Sequence, residues 1–166
     1  KDHEIIIGLL MISLLRTVLG LTPAIFFANY FFNFHLFEMG LYLIFFFFNL
    51  TLIGWSIGLC VSALVLRYGQ SFEELAWAII FIVLPFSCVY YPLSSLPEVM
   101  QTISSIFPTT MIFEEMRSLI FNSHMNHINL IKIFFLNICL LLMSSLFFLY
   151  MLRVVRNKGI MINQGE

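Results

Sequence analysis

Four apolar runs, at residues 5–32, 40–66, 75–93 and 128–152, leave this chain few ways to fold in water. A bilayer core about 30 Å thick takes roughly 20 apolar residues in a helix, and every run is near or beyond that length. A soluble helix so long would carry a polar stripe along one side, and these runs carry none. Residues are 61% hydrophobic and only 10% charged, too few polar side chains to cover a water-soluble core. The pattern predicts an all-α integral membrane protein with four transmembrane helices. The first run is too long for the apolar core of a signal peptide and reads as a span. No glycine- or serine-rich linker and no internal repeat divides the chain, so residues 1–166 read as a single transmembrane domain.

Positive residues near span ends stay on the cytoplasmic side. Arg153, Arg156 and Lys158 follow the last run and place the C-terminus there. Four spans then put Lys1 and residues 67–74 in the cytoplasm, with residues 33–39 and 94–127 outside. A net charge of -1 without a basic patch speaks against nucleic acid. Cys60, Cys88 and Cys139 fall one to each of the last three runs, with no Cys-x-x-Cys pair, and read as buried apolar residues. All nine acidic residues lie outside the runs, so an ion-coupled mechanism has no residue to run on.

Arg16 is the one charge at membrane depth, Lys132 lying at the outer end of the last run, and at a helix centre it costs about 2.5–3.5 kcal/mol on insertion scales. Two readings stand: it faces a bundle interior or pathway, or the span tilts and its side chain snorkels to the cytoplasmic interface. Pro23, further along, is a residue that membrane helices tolerate. Gly54 to Gly58 spells the Gly-x-Ser-x-Gly of a hydrolase nucleophile elbow, but an elbow needs a strand, a turn and a helix, and this pentapeptide sits inside an unbroken apolar run. Gly54, Gly58 and Ser62 recur every four residues instead, as a stripe for close helix packing. The sequon at Asn49 to Thr51 lies at membrane depth and reads as incidental. His124 and His127 stand three apart, with His35 on the same outer side, yet no Cys, Asp or Glu flanks the pair, so no metal site is expected.

The segment after Pro92 returns to helical spacing without the length to span. Leu96, Val99, Met100, Ile103, Ile106 and Phe107 share one face, while Glu98, Gln101, Thr102, Ser104 and Ser105 take the other. Pro97 suits the first turn of this short interfacial helix, and Pro108 ends it. A second short helix is expected from Thr109 or Thr110 to Phe121, with Glu114 and Arg117 supporting each other at i and i+3. The expected architecture is therefore four spans with two short re-entrant or interfacial outer helices between the last two.

Four stretches carry a family resemblance. They are Leu59-Cys-Val-Ser-Ala-Leu-Val-Leu-Arg-Tyr-Gly-Gln70; Glu74-Leu-Ala-Trp-Ala78; Pro85-Phe-Ser87 with Tyr91, Pro92, Leu96 and Pro97; and Pro108-Thr-Thr110 with Phe113, Glu114, Met116 and Arg117. Over nearly its whole length the chain resembles the permease subunit of a type-2 ABC exporter. The resemblance implies six spans with both ends cytoplasmic, of which this sequence supplies the third to sixth, as expected of a chain lacking its two N-terminal spans. It also implies an ABC ATPase subunit as partner, a second permease copy in a homodimer, and a bacterial inner-membrane location. Arg67, Tyr68, Gln70, Glu73 and Glu74 are the candidates for touching that ATPase, and Pro97, Pro108, Thr109, Glu114 and Arg117 mark the re-entrant helices. No phosphate-binding loop occurs in the sequence, so ATP and Mg would sit on the partner and this chain would be no enzyme. The phenylalanine run at residues 45–48 suits an amphiphilic cargo or simple exposure to lipid. A membrane scaffold without transport is the rival from another class. An intramembrane enzyme on His35, His124 or His127 fares worst, lacking a second polar group at membrane depth.

Overall fold

The spine of the molecule is a pair of long helices that run side by side in the same direction. In the computed structural model, which describes residues 2–32, 40–69, 72–122 and 125–158, α2 spans Leu41–Tyr68 and α6 spans His127–Lys158. Phe46 and Ile53 of α2 pack with Leu130 and Ile133 near the start of α6, and Ile112 of a shorter helix fills the same cluster. Further along, Leu59 and Ala63 pack with Phe148, Leu149, Met151 and Leu152. Between the two clusters the Asn137 Nδ2 donates to the Asn49 Oδ1 at 2.9 Å, and both asparagines are 0% exposed. Asn49 also donates to the carbonyl of Phe45 one turn back, at 2.9 Å. A buried amide N–H must find a partner, and this one cross-helix bond from Asn137 to Asn49 holds α2 and α6 in register.

The helix α1, Asp2–Phe32, continues through Pro23 and touches this spine chiefly near its own start. Ile6 is buried in the cluster of Leu59 and Phe148, with Leu10 packed against it. Beyond that point α1 presents Ile12, Leu15, Val18, Leu19, Phe26 and Phe27 to its surroundings. Three helices are long and apolar enough to cross a membrane, α1, α2 and α6, and no strand occurs among the described residues.

The third apolar run departs from the expected span. Its helix α3, Glu73–Phe86, has 14 residues, about 21 Å at 1.5 Å per residue, short of a bilayer core. Pro85 has no N–H to offer the preceding turn, and Ser87 closes the end by donating its backbone N–H to Val83 at 2.9 Å and its hydroxyl to Leu84 at 2.7 Å. Cys88 then takes a positive φ of 51°, which turns the chain out of the helix. Residues 87–93 are thus a turn rather than the end of a span. A single 3₁₀ turn, Leu93–Ser95, leads into α4, Glu98–Ser104, and then α5, Pro108–Asn122. Pro97 sits just ahead of α4, and Pro108 opens α5 instead of closing α4, since a first-turn residue needs no amide hydrogen.

Candidate functional site

The two ends of α3 hold most of the residues singled out in the sequence, and they are different in character. At the α2–α3 turn, Gly69 adopts a φ of 91° and donates to the Val65 carbonyl at 2.9 Å, which reverses the chain in few residues. The Arg67 guanidinium lies 5.1 Å from the Tyr68 ring centroid and 3.7 Å from the Met151 sulfur of α6. Tyr68 stacks on Phe72 with centroids 4.7 Å apart. Glu73 and Glu74 are exposed in the first turn of α3, where the helix dipole favours negative charge. Arg67 is therefore committed to its own chain, while Tyr68, Glu73 and Glu74 form the exposed part of this turn. Gln70 lies outside the described residues, as do Lys1, residues 33–39 with His35, and His124.

At the other end of α3 a polar node binds the turn to α5. Glu114 and Arg117 form an ion pair, and the same Glu114 Oε1 accepts the Leu93 backbone N–H at 2.8 Å. The Arg117 Nη2 donates to the carbonyls of Cys88 and Tyr91, at 3.0 and 3.2 Å. Thr110 donates to the Phe86 carbonyl at 2.7 Å, and the Tyr91 hydroxyl donates to the Pro85 carbonyl. The last carbonyls of α3 and of the turn beyond it are thereby answered by Tyr91 and by Thr110 and Arg117 of α5, the latter a cation placed where the dipole is negative. Burial pushes the Cys88 thiol up from its ordinary range, and the Glu114 carboxylate adds to the rise. Pro108 is buried beside this node, Pro97 is exposed, and the Thr109 hydroxyl has no hydrogen-bond partner among the described residues.

Glu115, whose side chain sequence reasoning gave no role, ties α5 to the start of α6. Its carboxylate accepts the Asn129 Nδ2 at 2.6 Å and the Asn126 backbone N–H at 3.3 Å. The adjacent pair Glu114 and Glu115 thus faces two elements at once. A polar residue flanked by apolar positions was the available signal for Asn49 and Asn137, because a buried amide needs a partner there, whereas Glu115 stands beside Glu114 and gave no such signal.

Most other residues singled out in the sequence lie apart from α3. Gly54, Gly58 and Ser62 meet no closely packed helix of this chain, which leaves the stripe open to another. A Cβ added at either glycine meets nothing within 4 Å, and the stripe lines an open groove of about 210 Å³ beside Leu9, Leu10 and Ser13 of α1. Cys139 is exposed rather than buried, Cys60 is half-buried, and Cys88 lies past the end of α3. The apolar face of α4 stays open at Val99, Met100 and Ile103, with no helix of this chain covering it. Arg16 is exposed on α1, outside the bundle interior, and its guanidinium has no partner among the described residues. His127 begins α6, and no group of His, Cys, Asp or Glu suited to a metal ion occurs among the described residues.

A cleft of about 700 Å³ opens between α2, α3, α6 and the α4–α5 junction, walled by Ile57, Val83, Phe107, Met143 and Phe147. Its lining is almost wholly apolar, which suits hydrocarbon rather than a polar reactant. Comparison with protein families, with curated proteins and with solved structures finds no match.

Proposed function

We propose that this chain is the membrane-spanning permease subunit of an ATP-driven exporter of the type-2 ABC class, moved by a separate ATPase. The observation that supports it best is the construction around α3. One end of this helix emerges from a tight turn with exposed Tyr68, Glu73 and Glu74, and the other is clamped by Arg117 and Glu114 to the short helices α4 and α5. A push on the turn would be carried along a rigid helix of about 21 Å to the cap at its far end. In this reading α3 is the third of four crossings in this chain, made short because α4 and α5 dip toward it. The C-terminus is cytoplasmic, with Arg153 and Arg156 exposed on the last turns of α6.

Two copies would ride on two ATPases that hold ATP and Mg, and ATP-driven closure would favour the bundle state with weaker hold on cargo. The large apolar cleft suits an amphiphile or a lipid tail. Co-purification of the full-length protein tests the reading. An ATPase subunit that is retained by the native chain, and lost with Glu74→Ala and Tyr68→Ala, supports it. If no nucleotide-binding subunit accompanies the protein in any detergent, the motor is missing and a non-transporting scaffold becomes the better account.

A further inference from the structure

Arg16 lies near the middle of the apolar helix α1, and its guanidinium has no partner among the described residues. The register between α1 and α2 gives its depth. Ile6 and Leu10 pack beside Leu59 and Ala63, and Ser13 lines the same groove as Gly54 and Trp55, so residue numbers fall along α2 as they rise along α1. One further turn brings Arg16 level with Leu50 and Thr51. At 1.5 Å per residue that level is about 25 Å from the Tyr68 end of α2 and about 15 Å from its Leu41 end. A bilayer core about 30 Å thick centred on the 28-residue span Glu4–Phe31 would leave Arg16 about 13 Å from the nearer interface, beyond the reach of an arginine side chain, so snorkelling does not take the charge to either surface. On the same face of α1, Ile12 and Leu19 are more than half exposed, at 63% and 65%. The result is a cation at mid-depth on a bare apolar helix face.

From this charge mismatch we propose that the Arg16 face of α1 is covered by a membrane helix of other sequence that brings a carboxylate to the same depth. Arginine at such a site needs a bidentate acceptor, and a carboxylate is the side chain whose geometry and charge match its planar fork. In hydrocarbon a lone carboxyl group would stay protonated, and beside Arg16 it ionises, so each charge makes the other tolerable. Within residues 1–166, a second copy offers no such group. All nine of its acidic residues lie outside the apolar runs, and a two-fold contact centred here would set Arg16 against Arg16. The pairing stands whether or not an ATPase drives the chain.

The test uses the full chain, donor-labelled, in phosphatidylcholine vesicles. The probe is an acceptor-labelled leucine-rich synthetic helix with one central Glu, compared with the same helix carrying Gln or Leu. The Glu helix is expected to associate about tenfold more tightly than the Leu helix, a preference that Arg16→Leu removes. Arg16→Glu should then prefer a helix with a central Arg, which shows that a folded chain is being read. Equal association of Glu and Leu helices, or a Glu preference that survives Arg16→Leu, overturns the proposal. So does energy transfer between two copies of the chain that Arg16→Leu abolishes in the absence of probe, because the second copy would then be the occupant.

Discussion

Arg117 holds the cap closed, and Cys88 beneath it offers a built-in reporter. Replacing Arg117 by Ala removes the donors to the Cys88 and Tyr91 carbonyls and the partner of Glu114. Hydrogen bonds from a charged group are worth about 1.5–3 kcal/mol each when buried. The Arg117 and Glu114 side chains are 24% and 35% exposed, so solvent screens part of this and the ion pair itself adds little. A loss of about 2 kcal/mol in closing the cap is the expected magnitude, which raises the open population about thirtyfold. The Cys88 thiol is 0% exposed, so a maleimide reaches it only through that open state. With Cys60 and Cys139 changed to Ala, its labelling rate reads the opening directly. Arg117→Ala should accelerate labelling about thirtyfold and Arg117→Lys, which keeps charge but loses the fork, by an intermediate factor. Labelling of Arg117→Ala at the parent rate, with helicity unchanged, would refute the view that this node secures α4 and α5.

The same thiol makes the cap sensitive to alkali. Because the closed form raises the Cys88 pKa, its stabilisation is complete below the ordinary thiol pKa and declines as pH rises above about 8.5. Protection of α4 amides, taken relative to the intrinsic exchange rate at each pH, should therefore fall between neutral and alkaline pH, and Cys88→Ser should flatten that trend. Asn137→Leu leaves the Asn49 carbonyl oxygen without its cross-helix donor and should weaken the α2–α6 pair by about 0.6–1.7 kcal/mol, measured by steric trapping in bicelles. The Asn49→Leu/Asn137→Leu double variant should recover much of that loss, and additive effects would mean the two amides do not interact. Gly54→Ala and Gly58→Ala meet open space, so unfolding of the isolated chain should be unchanged or more resistant by up to about 1 kcal/mol. Glu115→Ala should raise proteolytic cleavage at the α5–α6 corner by freeing Asn126 and Asn129, with α3 unaffected.

Hydrophobic run length was enough to locate the three longest helices, since in a bilayer the backbone must satisfy itself and continuous helix is the economical solution. The residues of α1, α2 and α6 match the expected runs to within a few positions at most ends, and the α6 helix continues past its apolar run into the basic tail. Run length failed for the third helix, because apolar composition continues through residues 87–93 although the chain has already turned. Proline at 85 and a left-handed Cys88 end the helix there, and the second of these is invisible in a residue name.

Glu114 and Arg117 were readable as a pair from their spacing of three, which places them on one helix face. That they also hold the Leu93 amide and the Cys88 and Tyr91 carbonyls depends on bringing α5 against the end of α3, a contact between residues more than twenty positions apart. The Gly54, Gly58 and Ser62 stripe teaches the converse: spacing tells that a helix can approach closely, but only the packing tells whether one does. Sequence alone determined an all-helical membrane chain, its longest spans, the ion pair on α5 and a charge at depth on α1. Tertiary structure decided the rest: the early end of α3, the Asn49–Asn137 bond, the clamp on the cap and the bare face around Arg16. Local pattern reports what each helix can bury, whereas partners are chosen by which faces the connecting turns bring together.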